Sequence, residues 1–78
     1  EAEIIEALVM STSPIAGSRI GDLDFPEGVI VGGILKNGDM VKPNSNSKIE
    51  EGDIIALFAL SKDIPEVERL LQVTIDYF

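Results

Sequence analysis

Fourteen carboxylates, six cationic side chains and no histidine or cysteine bound the chemistry open to this chain of 78 residues. Acid–base catalysis needs two carboxylates facing each other across a cleft with their pKa values driven apart. The acidic residues here mostly border turns and helix ends, where solvated charge is the simpler reading. Nucleophilic catalysis lacks an activating His and a reactive Cys. Ser11, Ser13, Ser18, Ser45, Ser47 and Ser61 all stand in turn or capping contexts. No spacing supports a Ser–Lys dyad with Lys48 or Lys62. Asp22-x-Asp24-x-x-Glu27 offers oxygen ligands to a hard cation, but it lacks the length and spacing of a calcium loop. Exposed carboxylates at a helix terminus account for it. The glycines from Gly28 to Gly33 lie before or inside a strand, whereas a phosphate-cradling loop leads from a strand into a helix. The expectation is a chain that is not an enzyme, with no catalytic residue and no metal ligand.

The elements that carry these residues centre on Val29–Val41. Val29 to Leu35 is nearly all apolar and predicts a strand covered on both faces. Gly32-Gly33 interrupts it, which marks a bulge or a close backbone approach, including one from a partner chain. Asn37-Gly38 predicts a type I′ turn, since both residues tolerate positive φ. Met40-Val41-Lys42 is the return strand and Pro43 stops it. Upstream, Glu1 to Met10 predicts a strand with Ile5, Ala7 and Val9 on one face. A helix remains open there by propensity. Ser18 is placed to cap one or two helical turns through Leu23, weakened by Gly17 and Gly21, and Phe25-Pro26 ends them.

Downstream, Asn44 to Asp53 reads as a loop anchored by Ile49 and closed by a turn at Glu51-Gly52-Asp53. Ile54 to Leu60 is an unbroken apolar run and predicts the central strand of the sheet. Lys62 to Val73 predicts a helix, with Asp63 and Glu66 as a box-like cap and Pro65 in the first turn. Ile64, Val67, Leu70 and Leu71 form its apolar stripe. Val73 to Phe78 alternates at period two, as a short strand or an extended tail. Ile75, Tyr77 and Phe78 form either an interface or part of the core.

A chain this short buries only about 60 % of its unfolded surface, so its stability is marginal unaided. Cysteine and histidine staples are absent, which leaves oligomerisation. The net charge of −8 is spread along the chain with no basic stripe. Nucleic acid and anionic membrane surfaces are therefore unsuitable partners. No apolar run approaches the ~20 residues of a membrane span. The chain begins at Glu1 rather than Met, which points to one domain, residues 1–78, of something larger.

The ordered pattern resembles one family. Its residues are Ile15-Ala16-Gly17-Ser18-Arg19-Ile20-Gly21-Asp22-Leu23-Asp24-Phe25, then Val29 to Ile34, Asn37-Gly38, Pro43, Ile49 and Gly52-Asp53-Ile54-Ile55. Asp63 to Gln72 and the aromatic end Tyr77-Phe78 complete it. Residues 4–78 are similar to the TrkA C-terminal domain, also called RCK-C. The resemblance implies an α+β fold, a two-layer β-α-β-β-β-α domain with a mostly antiparallel sheet and a C-terminal helix. It implies a homodimer that regulates a Trk-type potassium-uptake system and contacts its potassium-transporting membrane subunit. The setting would be cytoplasmic, at the inner face of the plasma membrane and without membrane insertion. The same domain also occurs in other transporters, such as cation–proton antiporters. NAD or ATP would bind an upstream domain, so no cofactor falls to these residues.

Some relatives bind cyclic di-adenosine monophosphate between two such domains. By position that small-molecule site maps onto Ile20, Asp24, Phe25, Pro26, Glu27, Gly28 and Val29. The basic and amide side chains of the site have no counterpart here, and Asp24 and Glu27 would repel a phosphodiester. The interface expectation covers Gly32, Gly33, Ile75, Tyr77 and Phe78.

Overall fold

The computed structural model describes residues 1–72. The expected strand and interface roles of Val73 to Phe78, Ile75, Tyr77 and Phe78 included, lie outside the described residues. Among the described residues, four strands form one antiparallel sheet: β1 (Ala2–Leu8), β2 (Val29–Lys36), β3 (Asp39–Val41) and β4 (Ile54–Leu60). Their order across the sheet is β1-β4-β2-β3. A helix, α1 (Ile64–Leu71), follows β4 through a 3-10 turn at Ser61–Asp63. The α+β class and the central place of Ile54–Leu60 both follow the sequence reading.

One face of the sheet holds the core. Ile5 and Ala7 of β1, Val29 and Ile34 of β2, and Ile55, Leu57 and Ala59 of β4 are buried there. Ile64, Val67 and Leu71 of α1 join the same cluster, with Leu70 packed against it. Their i, i+3, i+7 spacing puts them on one side of the helix. Each such side chain stabilises the fold by about 2 kcal/mol through burial. Ile15 and Ile49, from the two loops, belong to the same core. Ser13 Oγ donates a hydrogen bond of 2.9 Å to the Leu70 carbonyl and ties the first loop to the helix.

Local chemistry fixes the turns. Asn37 and Gly38 have φ of 51° and 85°, as a two-residue type I′ turn requires. The pairing of Lys36 with Asp39 closes the hairpin directly around them. The register of β2 against β4 slips between Val31 and Gly33, which makes Gly32 a bulge. The ring of Phe58 covers that bulge, since a Cβ on Gly32 would lie 2.7 Å from Phe58 Cε2.

Three expectations need correction. The segment after Ser18 forms only a 3-10 turn at Ile20–Asp22, preceded by Arg19 and without a side-chain cap. Its backbone is engaged elsewhere: Ile20 N–H donates to Ser47 O and Gly21 N–H to Ser45 O. Those bonds to the 44–49 loop replace the bonds of a longer helix. The C-terminal helix starts at Ile64 rather than Lys62, and Asp63 precedes it without a side-chain cap bond. Glu66 instead accepts from Arg69 one turn ahead. Finally, β2 is not covered on both faces. Ile30 is 64 % exposed on the side away from the core.

Candidate functional site

Residues 20 to 29 run from the 3-10 turn to the start of β2, and packing separates them into two groups. Leu23 and Phe25 are half-buried against the core. Ile20 also packs on the core, but its N–H is bonded to the Ser45–Ser47 side of the molecule. Asp24 and Glu27 are exposed, and Pro26 is half-buried. The Pro26 carbonyl accepts from Val29 N–H at 3.0 Å, so a tight turn delivers the chain into β2. Val29 is buried at the head of that strand.

Gly28 is the tightest point of this segment. Its carbonyl accepts from Leu60 N–H at 3.0 Å. A Cβ on Gly28 would overlap Asp63 Oδ2 and approach Leu60 Cδ1 to 2.7 Å. Asp63 Oδ2 is itself buried and has no hydrogen-bond partner among the described residues. The structure thus brings Gly28 together with the junction of β4 and α1. It does not bring Asp22, Asp24 and Glu27 together as a cation site. Among the described residues no three His, Cys, Asp or Glu side chains are grouped to hold a metal ion.

Two clefts escaped the sequence reading. One, of about 410 Å³, is lined by Glu1, Leu60, Ser61 and Lys62, next to the junction of β4 and α1. Ser61 N–H donates to the Glu1 carbonyl at 2.8 Å across it. The other, of about 320 Å³, is lined by Gly17, Ser18, Arg19, Asp22 and Lys48. Arg19 and Lys48 face each other there as an isolated antiparallel bridge. No local signal announces a pairing of residues so far apart in the chain.

A cluster of charged side chains lies at the opposite end of β2. Lys36 Nζ donates to Asp53 Oδ2 at 2.5 Å and to Glu50 Oε1 at 3.2 Å. Asp53 Oδ2 also accepts from Glu50 N–H at 2.9 Å. Burial works against the Lys36 charge, but the hydrogen bonds to Asp53 and Glu50 and their negative charges outweigh it. The ammonium is held above its ordinary pKa. This cluster locks the Gly52-Asp53 turn to the hairpin. On the outer helix surface, the hydrogen bond from Arg69 lowers the Glu66 pKa, and the reciprocal contact raises that of Arg69.

The interface expectation divides in the same way. Gly32 is exposed beneath the Phe58 ring, and Gly33 is buried, with Met40 Sδ 3.0 Å from where its Cβ would stand. Both lie on the open face of the sheet, beside Ile4, Ile30 and Phe58. Among the described residues, no helix is long and apolar enough to cross a membrane.

Comparison with known proteins agrees with this arrangement. The TrkA-C domain family matches residues 4–72. The Trk system potassium uptake protein TrkA of Azorhizobium caulinodans is 36 % identical over 76 residues, which is 97 % of this chain and 17 % of that protein. TrkA of Haemophilus influenzae is 39 % identical over 75 residues, or 91 % of this chain and 16 % of that protein. The chain therefore spans about one-sixth of the length of the curated relatives it matches. The RCK C domain of the potassium transport protein KtrA, solved in complex with cyclic diadenosine monophosphate, is similar with a TM-score of 0.72. It is 29 % identical, and the match covers 88 % of this chain and 82 % of that one. The RCK_C domain dimer of Streptococcus agalactiae BusR, in complex with c-di-AMP, has a TM-score of 0.77 at 24 % identity, with 88 % and 95 % covered. This likeness shows the shared fold. Family match, identity across nearly the whole chain and strand order agree: the chain belongs to the TrkA-C domain family.

Proposed function

We propose that this chain is a regulatory, self-pairing domain of a Trk-type potassium-uptake protein. It is one domain of a longer protein, and it acts from the cytoplasmic side of the plasma membrane on a potassium-transporting membrane subunit. The observation that carries the reading is the 36 % identity with a TrkA protein over 97 % of the chain. The site geometry supports a regulatory rather than a catalytic role. Its charged groups serve as structural locks (Lys36 with Asp53) or stand exposed in solvent (Asp24, Glu27). Nucleotide cofactors belong to another part of such a protein.

A small-molecule ligand would be sensed along Asp24–Val29, with Ile20 beside it. That segment links the 3-10 turn to β2, and through Gly28 it touches the junction of β4 and α1. A ligand that shifted Gly28 would press directly on Leu60 and Asp63. The test is potassium uptake in cells depleted of potassium. Removing residues 1–78 from the full-length protein should change the uptake rate while the membrane subunit stays in place. Uptake that is unchanged by the deletion rules the regulatory role out.

A further inference from the structure

Arg19 and Lys48 stand directly opposite each other on two loops that meet only in the folded chain. Two hydrogen bonds flank them. Ile20 N–H donates to the Ser47 carbonyl at 2.9 Å, and Ile49 N–H to the Ser18 carbonyl at 2.8 Å. The two residues are thus the non-hydrogen-bonded kind of antiparallel pair, the closer kind, with Cα atoms about 4.5 Å apart. Side chains of such a pair leave from one face, and like charges so placed weaken the pairing. Backbone bonding has forced two cations together. Among the described residues no carboxylate neutralises them, although the chain carries 14. Lys36 is held by Asp53 and Glu50, and Arg69 by Glu66. Arg19 and Lys48 make no ion pair or side-chain hydrogen bond to the described residues. Asp22, three positions beyond Arg19, lines the same cleft and pairs with neither cation.

We propose that the cleft of about 320 Å³ around this pair binds a phosphate group, carried by a small hydroxyl-bearing monoester. The planar fork of Arg19 suits two phosphate oxygens at once, and Lys48 meets a third as a point charge. A phosphate monoester carries a charge of about −1.5 to −2 at neutral pH, which matches two cations. Ser18, half-buried in the cleft wall, adds a hydroxyl donor. The Asp22 carboxylate can only accept, so it faces hydroxyl groups of the ligand rather than its phosphate.

Size and range favour a small ligand. The cleft lies at the lower end of the ~300–1,000 Å³ of small-molecule pockets. The net charge of −8 opposes any anion at a distance. At physiological salt, exposed charges more than about 8 Å away are largely screened, so contact with two adjacent cations decides. An acidic protein segment offers only singly charged carboxylates on a bulkier chain, a poorer match to a small concave site. Occupation replaces repulsion between Arg19 and Lys48 with attraction to a shared anion. It would thereby fasten the 3-10 turn at Ile20–Asp22 to the 44–49 loop, just ahead of Asp24–Val29.

The test is titration of the chain with glycerol 3-phosphate and with inorganic phosphate, at constant ionic strength, followed by amide NMR. The chain has a core of its own, so it can be studied alone. Glycerol 3-phosphate should give saturable shifts centred on residues 18–22 and 47–49, with a Kd of about 1 mM. Inorganic phosphate should bind several-fold more weakly, since it lacks the carbon-borne hydroxyls that reach Asp22. Equal affinities would assign the phosphate site to the free ion. Arg19→Gln and Lys48→Gln should each raise the Kd about tenfold. Lys42→Gln, at an exposed cation outside the cleft, should leave it within about twofold. Without ligand, Arg19→Gln and Lys48→Gln should melt no lower than the wild type, because each removes a repulsion. That separates lost binding from lost folding. Absence of saturable shifts up to about 20 mM of either compound overturns the site and leaves the pair to an acidic segment of a partner protein. Binding weakened no more by Arg19→Gln and Lys48→Gln than by Lys42→Gln also overturns it.

Discussion

Lys36 and Asp53, separated by 17 positions in the chain, are joined by a 2.5 Å hydrogen bond between Nζ and Oδ2. The contact ties the end of β2 to the turn that launches β4. Asp53 is buried, and Lys36 keeps a quarter of its side chain in solvent. Removing the carboxylate leaves a half-buried ammonium and the Glu50 N–H without their acceptor. Asp53→Ala should cost about 2 kcal/mol in urea unfolding, discounted for the exposure of Lys36. Glu50→Ala, at the exposed member of the cluster, should change stability by less than about 0.5 kcal/mol. Equal effects from the two substitutions would contradict this ranking.

The same lysine sets an alkaline limit. Its folded pKa is raised above the ordinary value of 10.5. A raised lysine contributes stability that is complete below the unfolded pKa and is lost as pH rises through the folded pKa. The melting-temperature gap between wild type and Lys36→Met should thus be constant around neutrality and narrow above about pH 10.5. A gap that holds to about pH 12 would show that the pair contributes nothing through its charge.

Gly28→Ala should destabilise by about 2 kcal/mol through overpacking against Leu60 and Asp63. The comparison with Gly17→Ala separates two causes. Gly17 has open space around it but a φ of 89°, so its substitution reports backbone strain of about 1 kcal/mol alone. A Gly28→Ala protein that retained wild-type stability would show that the junction of β4 and α1 yields readily.

Cyclic di-adenosine monophosphate gives a direct test of the ligand segment. Asp24 and Glu27 are exposed carboxylates flanking Phe25 and Pro26. They set a repulsive potential where a phosphodiester would need donors or cations. Titration followed by amide NMR should show no saturable shifts at Asp24–Val29 up to about 1 mM. Saturable shifts confined to those residues would reverse the charge argument.

Legibility followed the range of the cause. The Asn37-Gly38 turn was readable because two adjacent residues determine it through their φ angles alone. The alternation of Ile5, Ala7 and Val9 and the stripe of Ile64, Val67 and Leu71 were readable because each repeats along a single element. The Arg19–Lys48 bridge was not, since its partners meet only after two loops have folded together. Ser18 carries the composition of a cap, yet the backbone beyond it is bonded to the 44–49 loop. Hydrophobicity also does not record which face it serves. Ile54–Leu60 was rightly placed at the centre of the sheet, but Phe58 shows that its second face is open. Within the segment proposed to sense a ligand, the closeness of Gly28 to Asp63 arises only in three dimensions.

The strand order has a consequence for how the molecule is made. Of the described strands, the last to leave the ribosome, β4, is the one that joins β1 to the β2–β3 hairpin. Ala2 waits for Leu60 and Val29 waits for Ala59. Until that strand arrives, β1 has no neighbour among the described strands and the hairpin has an unpaired edge. Pairings of such long sequence separation carry their loop-closure entropy before any contact offsets it, which slows folding. The nascent domain therefore remains open until its last third has been translated, and then closes as a single cooperative event around one strand.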